Sequence, residues 1–352
     1  MTSTKNNKDL PLKLLCKLLF KEMGYNTYFE VKLRTLSYVE SVKTHDISDI
    51  DVLGLNFLAD MSQHLIGSEC KSGESSALDE LYKFIGVMDY YKIEKGYLIK
   101  SKIHQNARQV AIKKNISCFT EPEIRVLLHG FEIDIDKCVK IENAKYNKLI
   151  NAIRTAHKTS PKLVSYITYD FWNKDNWRNI HNIVHLLNSN IQQTLFKEKP
   201  TDEKLFYYYV VELFAMALLK NISLSIAQNY SDVEHAICNF LYGGPEALDE
   251  KRKLYDLIGQ YTNQNESFSP PWESDFINLS SRFAINTKAC SRIVHLLQDV
   301  REDCFYAQKV EIKKNILEKY SDLTRKFTQD VMHFLIKHTL IEEPIFEDFM
   351  KI

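Results

Sequence analysis

Apolar residues recur every three to four positions from Leu10 to Met23, where Leu12, Leu15, Cys16, Leu19 and Met23 share one helical face and Gly24 is placed to end the helix. The pattern then turns to β-type runs: "TYFEVKLRTLSYVESV" (Thr27 to Val42), "IDVLGLNF" (Ile50 to Phe57), "QHLIGSEC" (Gln63 to Cys70) and "GYLIK" (Gly96 to Lys100). A second helix is predicted from Ser76 to Tyr91, because "SSALDE" sets a serine before acidic side chains that satisfy free amides at a helix start. A third is predicted from Ile103 to Lys114. The order is helix, antiparallel strands, two central strands, helix, strand, helix, which describes a mixed central sheet flanked by helices. Six of the ten glycines fall within the first hundred residues, so turns crowd this part of the chain.

Beyond about Asp136 the texture changes. Segments such as "KYNKLINAIRTAHK", "WRNIHNIVHLLNSNIQQTLF" and "EKLFYYYVVELFAMALLKNISLSIAQ" carry helical spacing, broken at "YGGPEALDEK" and "QNESFSPPWESD" by Gly-Gly-Pro and Pro-Pro. The expected architecture is an α/β domain over 1–135 followed by an all-α domain over 136–352. "FYYY", Phe206 to Tyr209, reads as helical core and not as a base-stacking surface.

Composition narrows the picture. With 352 residues, 45 % hydrophobic and 12 % aromatic, the chain can fill two cores. Lys plus Arg and Asp plus Glu are 46 each, so any polyanion partner must be argued from a site and not from net charge. Seven scattered cysteines without a CxxC pair argue against a disulfide framework and fit a reducing cytoplasm. Lys13, Lys17 and Lys21 interrupt the first helix every fourth residue, making it amphipathic and unlike a signal peptide, and the apolar run Leu205 to Leu219 contains Glu212 and reads as too short to cross a bilayer.

The chemistry sits in "ISDIDVLGLNF" and "GSECKSG". Asp51 heads one apolar strand, and Glu69, Cys70 and Lys71 end the next. Strand alternation sends Glu69 and Lys71 to one side and Cys70 to the other. If the two strands pair, the two carboxylates converge, and converging carboxylates repel unless a cation lies between them; Mg²⁺, which prefers carboxylate, carbonyl and water oxygens, is the natural partner. Asp49 shares the strand face of Asp51 and is the alternative ligand.

These residues resemble the PD-(D/E)XK nuclease superfamily, the restriction-endonuclease-like fold, over about Leu10 to Asn115. The resemblance implies that Asp51 and Glu69 are the motif's acids, Lys71 its lysine, and Cys70 a backbone-carbonyl ligand, with Mg²⁺ or Mn²⁺ as cofactor and DNA as the favoured substrate, in a defence or DNA-processing role. Ile50 stands where the motif's proline would be. Many members also carry a glutamate or glutamine on the first helix, for which Glu22 is the candidate, with Glu30 and Glu40 on the early strands behind it. The helical domain would select substrate, mediate a homodimer or bind a partner protein. The rival reading is an inactive nuclease-fold scaffold subunit, held together at this point by a Glu69–Lys71 ion pair. Arg178 and His185 match a loose spacing similar to that of helical HEPN ribonucleases, but such pairs arise readily in a helix-rich chain, and His181 with His185 reads as packed or solvated histidine.

Overall fold

The computed structural model describes residues 8–34, 46–189, 200–262, 268–303 and 317–350. Pro11 lies in the first turn of α1 (Leu10–Glu22), where its missing N–H costs nothing and its fixed φ favours the helix. Every residue from Leu12 to Phe20 is buried, so α1 is covered all round.

Beside it lies a five-stranded sheet ordered β1 (Asn26–Arg34), β2 (Asp46–Phe57), β3 (Gln63–Lys71), β4 (Lys95–Lys100), β5 (Ile116–Phe119). β1 and β2 run antiparallel with Tyr28 opposite Leu53 and Val31 opposite Ile50. β3 and β4 are parallel, with Glu69 opposite Leu98, and β5 continues the parallel part. The sheet is therefore mixed, as the pattern predicts. α2 (Ala77–Tyr91), capped by the Ser76 hydroxyl on the Asp79 amide, and α3 (Gln105–Lys113) make the two parallel crossovers.

Adjacent β4 residues show the two faces. Tyr97 packs edge-on to Phe20 of α1 at 5.0 Å, whereas a Cβ on Gly96 would meet Met88 and Phe84 of α2. On the α1 side, Leu15, Leu19 and Phe20 join Val52, Ile66, Cys70 and Ile99 in one core with Ile124 and Leu128 of α4 (Glu121–His129) and with Ile135, which opens α5 (Ile135–Thr159).

The chain divides into two compact units, one of 1–56, 64–150 and 168–173, the other of 57–63, 151–167 and 174–352. The change of texture at 136 marks the end of the strands but not the end of the first unit. Glu142 and Tyr146 of α5 hold that unit's helix and strand, through Lys17 at 2.7 Å and the Phe29 ring at 4.9 Å, and Trp172 returns to pack on Tyr28 at 5.0 Å.

Within the second unit, α8 (Pro200–Gln228) is buried along most of its length and is packed by α7 (Asn176–Ser189), α9 (Val233–Leu241), α11 (Glu273–Ile285) and α13 (Ile293–Asp303). In chain order α6 (Pro161–Thr168) precedes α7, α10 (Pro245–Thr262) follows α9, and α12 (Thr287–Cys290) lies between α11 and α13. The FYYY residues Phe206, Tyr207 and Tyr208 are core, as expected. The expectation of too short an apolar segment needs correction. α8 spans 29 residues and is, among the described residues, the one helix long and apolar enough to cross a membrane, although 72 % of its most apolar window is buried in the protein. Glu212 at its centre is fully buried and is held by Arg301 Nε at 2.7 Å and Gln298 Nε2 at 3.1 Å.

Candidate functional site

The start of α1 is tied to the end of β3. The Asp9 carboxylate accepts from both the amide and the hydroxyl of Ser72 at 2.6 Å, which draws the first turn of α1 over the strand that carries Glu69 and Lys71. Lys13, one turn further on, is brought with it.

Asp51 is 1 % exposed. Its Oδ2 accepts the Cys70 amide at 2.7 Å, its Oδ1 meets Lys13 Nζ at 2.7 Å, and Lys71 Nζ lies 3.8 Å from Oδ2. Lys71 Nζ is also 2.9 Å from Glu69 Oε1, so one ammonium is shared by both carboxylates. Lys13 is shared in the same way, with Glu30 Oε1 at 2.9 Å. The result is a chain of alternating charge, Glu30, Lys13, Asp51, Lys71, Glu69, across α1, β1, β2 and β3. Cys70 turns its side chain into the core, leaving its backbone at the site.

Electrostatics follows from this crowding. Burial first, and repulsion from Asp51 second, push the Glu69 carboxyl up to about 7 against the pull of Lys71. Burial, the largest single influence, would lower the Lys13 and Lys71 ammoniums, but the surrounding carboxylates together outweigh it, Asp51 with Glu30 at Lys13 and Asp51 with Glu69 and Asp49 at Lys71, and both rise above the ordinary lysine value. Asp49 is placed differently. Burial would raise its pKa, yet the hydrogen bond and charge of Lys32, 3.0 Å away, hold it below the usual carboxylate range. Asp51, not Asp49, is the acid at the centre of the cluster.

The structure thus brings together Asp51, Glu69, Lys71 and the Cys70 backbone, and it does not bring Glu22 to them. Glu22 is exposed in the last turn of α1, nine residues and roughly 13 Å of helix rise beyond Lys13. The α1 residue at the site is a lysine, where the resemblance led us to expect a glutamate or glutamine. Glu30 does reach the cluster, and Glu40 lies outside the described residues. Lys13 went unnoticed because Lys13, Lys17 and Lys21 read as the polar stripe of a surface helix; the available signal was three lysines with no acid among them on a helix otherwise apolar.

Among the described residues no three His, Cys, Asp or Glu side chains form a metal-holding group. The oxygen donors brought together here are the carboxylates of Asp51 and Glu69. That set suits Mg²⁺, which is commonly held by one or two carboxylates and keeps several waters.

The HEPN-like residues show no such convergence. His185 is exposed, while His181 Nε2 donates to the Leu241 carbonyl at 3.1 Å and its ring packs on Trp272 at 4.9 Å. Arg178 lies over the Trp177 ring at 4.9 Å. These are packing roles. No family model, no curated protein and no solved structure matches this chain.

Proposed function

We propose that the first unit is a metal-dependent phosphodiesterase of PD-(D/E)XK type, acting on nucleic acid and most readily on DNA. The observation that carries this reading is the junction of Asp51, Glu69 and Lys71 on two neighbouring strands, with one ammonium 2.9 and 3.8 Å from the two carboxylates. Asp51, Glu69 and the Cys70 carbonyl would hold Mg²⁺ or Mn²⁺. Such an ion, when bound, lowers the pKa of a water and offsets the charge that builds on phosphorus-bound oxygen.

The chain's own residues do the rest. Lys71, held by Glu69 yet 31 % exposed along its side chain, can turn its ammonium outward to orient the attacking water or to contact a non-bridging phosphate oxygen. The attacking water gives up a proton to solvent as its oxygen bonds to phosphorus and the bond to the leaving sugar oxygen breaks, and the leaving oxygen takes up a proton from solvent. Asp51 is buried and held by the Cys70 amide, so it stays fixed while charge moves around it.

A second reading, the inactive scaffold, draws on the same geometry. Lys13 already compensates Asp51 at 2.7 Å, and an ion-pair chain alone can pin α1 to the sheet. Incubating the purified protein with supercoiled plasmid, with Mg²⁺, with Mn²⁺ and with chelator, separates the two. We expect nicking in metal only, reduced at least about a hundredfold in Asp51→Asn and Lys71→Met. Equal nicking in all three proteins removes these residues from the chemistry, and folded protein that cuts neither DNA nor RNA in any metal favours the scaffold.

A further inference from the structure

We propose that Lys13 is a built-in counter-cation that competes with a divalent ion for Asp51, and that Glu30 is the position to which its ammonium withdraws when the ion binds. The inference rests on the metal-site reading of Asp51 and Glu69 and adds to it a residue pair that tunes metal occupancy.

Three observations carry it. Lys13 Nζ contacts both carboxylates at once, 2.7 Å from Asp51 Oδ1 and 2.9 Å from Glu30 Oε1, so a small rotation about its terminal bonds can open the contact with Asp51 while keeping the one with Glu30. The two carboxylates differ in surroundings. The Asp51 side chain is 2 % exposed and that of Glu30 is 32 % exposed, so an ammonium that leaves Asp51 for Glu30 moves toward water and keeps a charged partner. Finally, Glu30 has φ of 51°, in the left-handed region that a residue with a Cβ seldom adopts, within a strand. The β1–β2 partners step from Phe29 with Val52 to Val31 with Ile50, and the strained residue between them is the one that delivers a carboxylate to Lys13. Strain that costs stability persists where the surroundings hold it, and here they hold the acid beside Lys13.

Physically, an ammonium in contact with Asp51 repels an incoming divalent cation and occupies one of its oxygens. Removing the ammonium should therefore tighten metal binding. Removing its retreat should weaken binding, but only while the ammonium is present. Glu30 is thus a positioning residue that acts through Lys13, and a double-mutant cycle tests that directly.

Mn²⁺ binding to the full chain, read by electron paramagnetic resonance of the free ion, needs no catalysis. We expect Lys13→Met to bind Mn²⁺ about tenfold more tightly than wild type, Glu30→Gln to bind it several-fold more weakly, and the Glu30 effect to vanish in the Lys13→Met background. Unchanged or weaker binding in Lys13→Met, with binding still abolished by Asp51→Asn, overturns this inference and leaves the metal site standing. Binding absent from both wild type and Lys13→Met, or indifferent to Asp51→Asn, overturns the metal site itself. Should Lys13→Met fail to fold, Glu30→Gln decides alone: affinity equal to wild type sinks the proposal.

Discussion

The Cys70 amide donates to Asp51 Oδ2 at 2.7 Å, a bond from the backbone of β3 to a side chain of β2. It locks the central acid in place without using a charged group, so charge and geometry at this position can be separated. Asp51→Asn keeps an acceptor for the amide but leaves Lys13, buried and cationic, with only Glu30. We expect a loss of about 2–4 kcal/mol of stability in denaturant titration, with the native fold retained. A stability equal to wild type would show that the Lys13 ammonium does not depend on Asp51.

Glu69 makes stability pH-dependent in a definite direction. Its carboxyl, raised from 4.5 to about 7, binds a proton more readily folded than unfolded. It therefore favours folding fully below the unfolded value, and that contribution is lost as pH rises through about 7. Without metal, wild type should lose roughly 2 kcal/mol relative to Glu69→Gln between about pH 5 and 8, seen as converging or crossing melting curves. Added Mn²⁺ should reverse the trend, because the ion replaces the proton and binds better as pH rises. A flat difference across that range would contradict the burial and Asp51 repulsion assigned to Glu69.

In the second unit, Glu212 and Arg301 form a buried pair. Arg301→Met takes the guanidinium from the buried Glu212 carboxylate, with Gln298 still bonded to it, and should cost about 3–5 kcal/mol, whereas Glu212→Leu combined with Arg301→Met should recover most of that loss. Chemical denaturation of the single and double variants measures it. A double variant as unstable as the single one would assign the loss to packing.

At Gly96 side chains of α2 come close to the sheet. A Cβ there would lie 2.5 Å from Met88 Sδ and 2.9 Å from both Ile116 Cγ1 and Phe84 Cε1. Gly96→Ala should destabilise by about 1–3 kcal/mol through overpacking, while Gly73→Ala, which meets nothing within 4 Å, should change stability by less than about 0.5 kcal/mol. Melting temperatures of the two variants give the comparison.

Much of the first unit was legible because its signals are local. Apolar spacing located α1 and α2 to within a residue or two, the Ser76 cap was read directly, and alternation located β2, β3 and β4. β5 escaped because "ISCF" is four residues long, too short for a period to declare itself. α4 escaped although Thr120 and Glu123 form a capping box around Pro122, a signal present in the chain and not used. Residues 35–42, the second half of the β-type run from Thr27 to Val42, lie outside the described residues.

Sequence alone determined which side chains share a strand face: a period of two puts Glu69 and Lys71 on one side and Cys70 on the other, and the short connection between β2 and β3 made their pairing the expected arrangement. Only the tertiary structure decided which charge from α1 joins them. A helical pattern tells which side chains share a stripe, but not how far along its axis the helix crosses the sheet. Here the bond of Asp9 to Ser72 sets that crossing at the first turn, so Lys13 arrives at Asp51 and Glu22 remains in solvent.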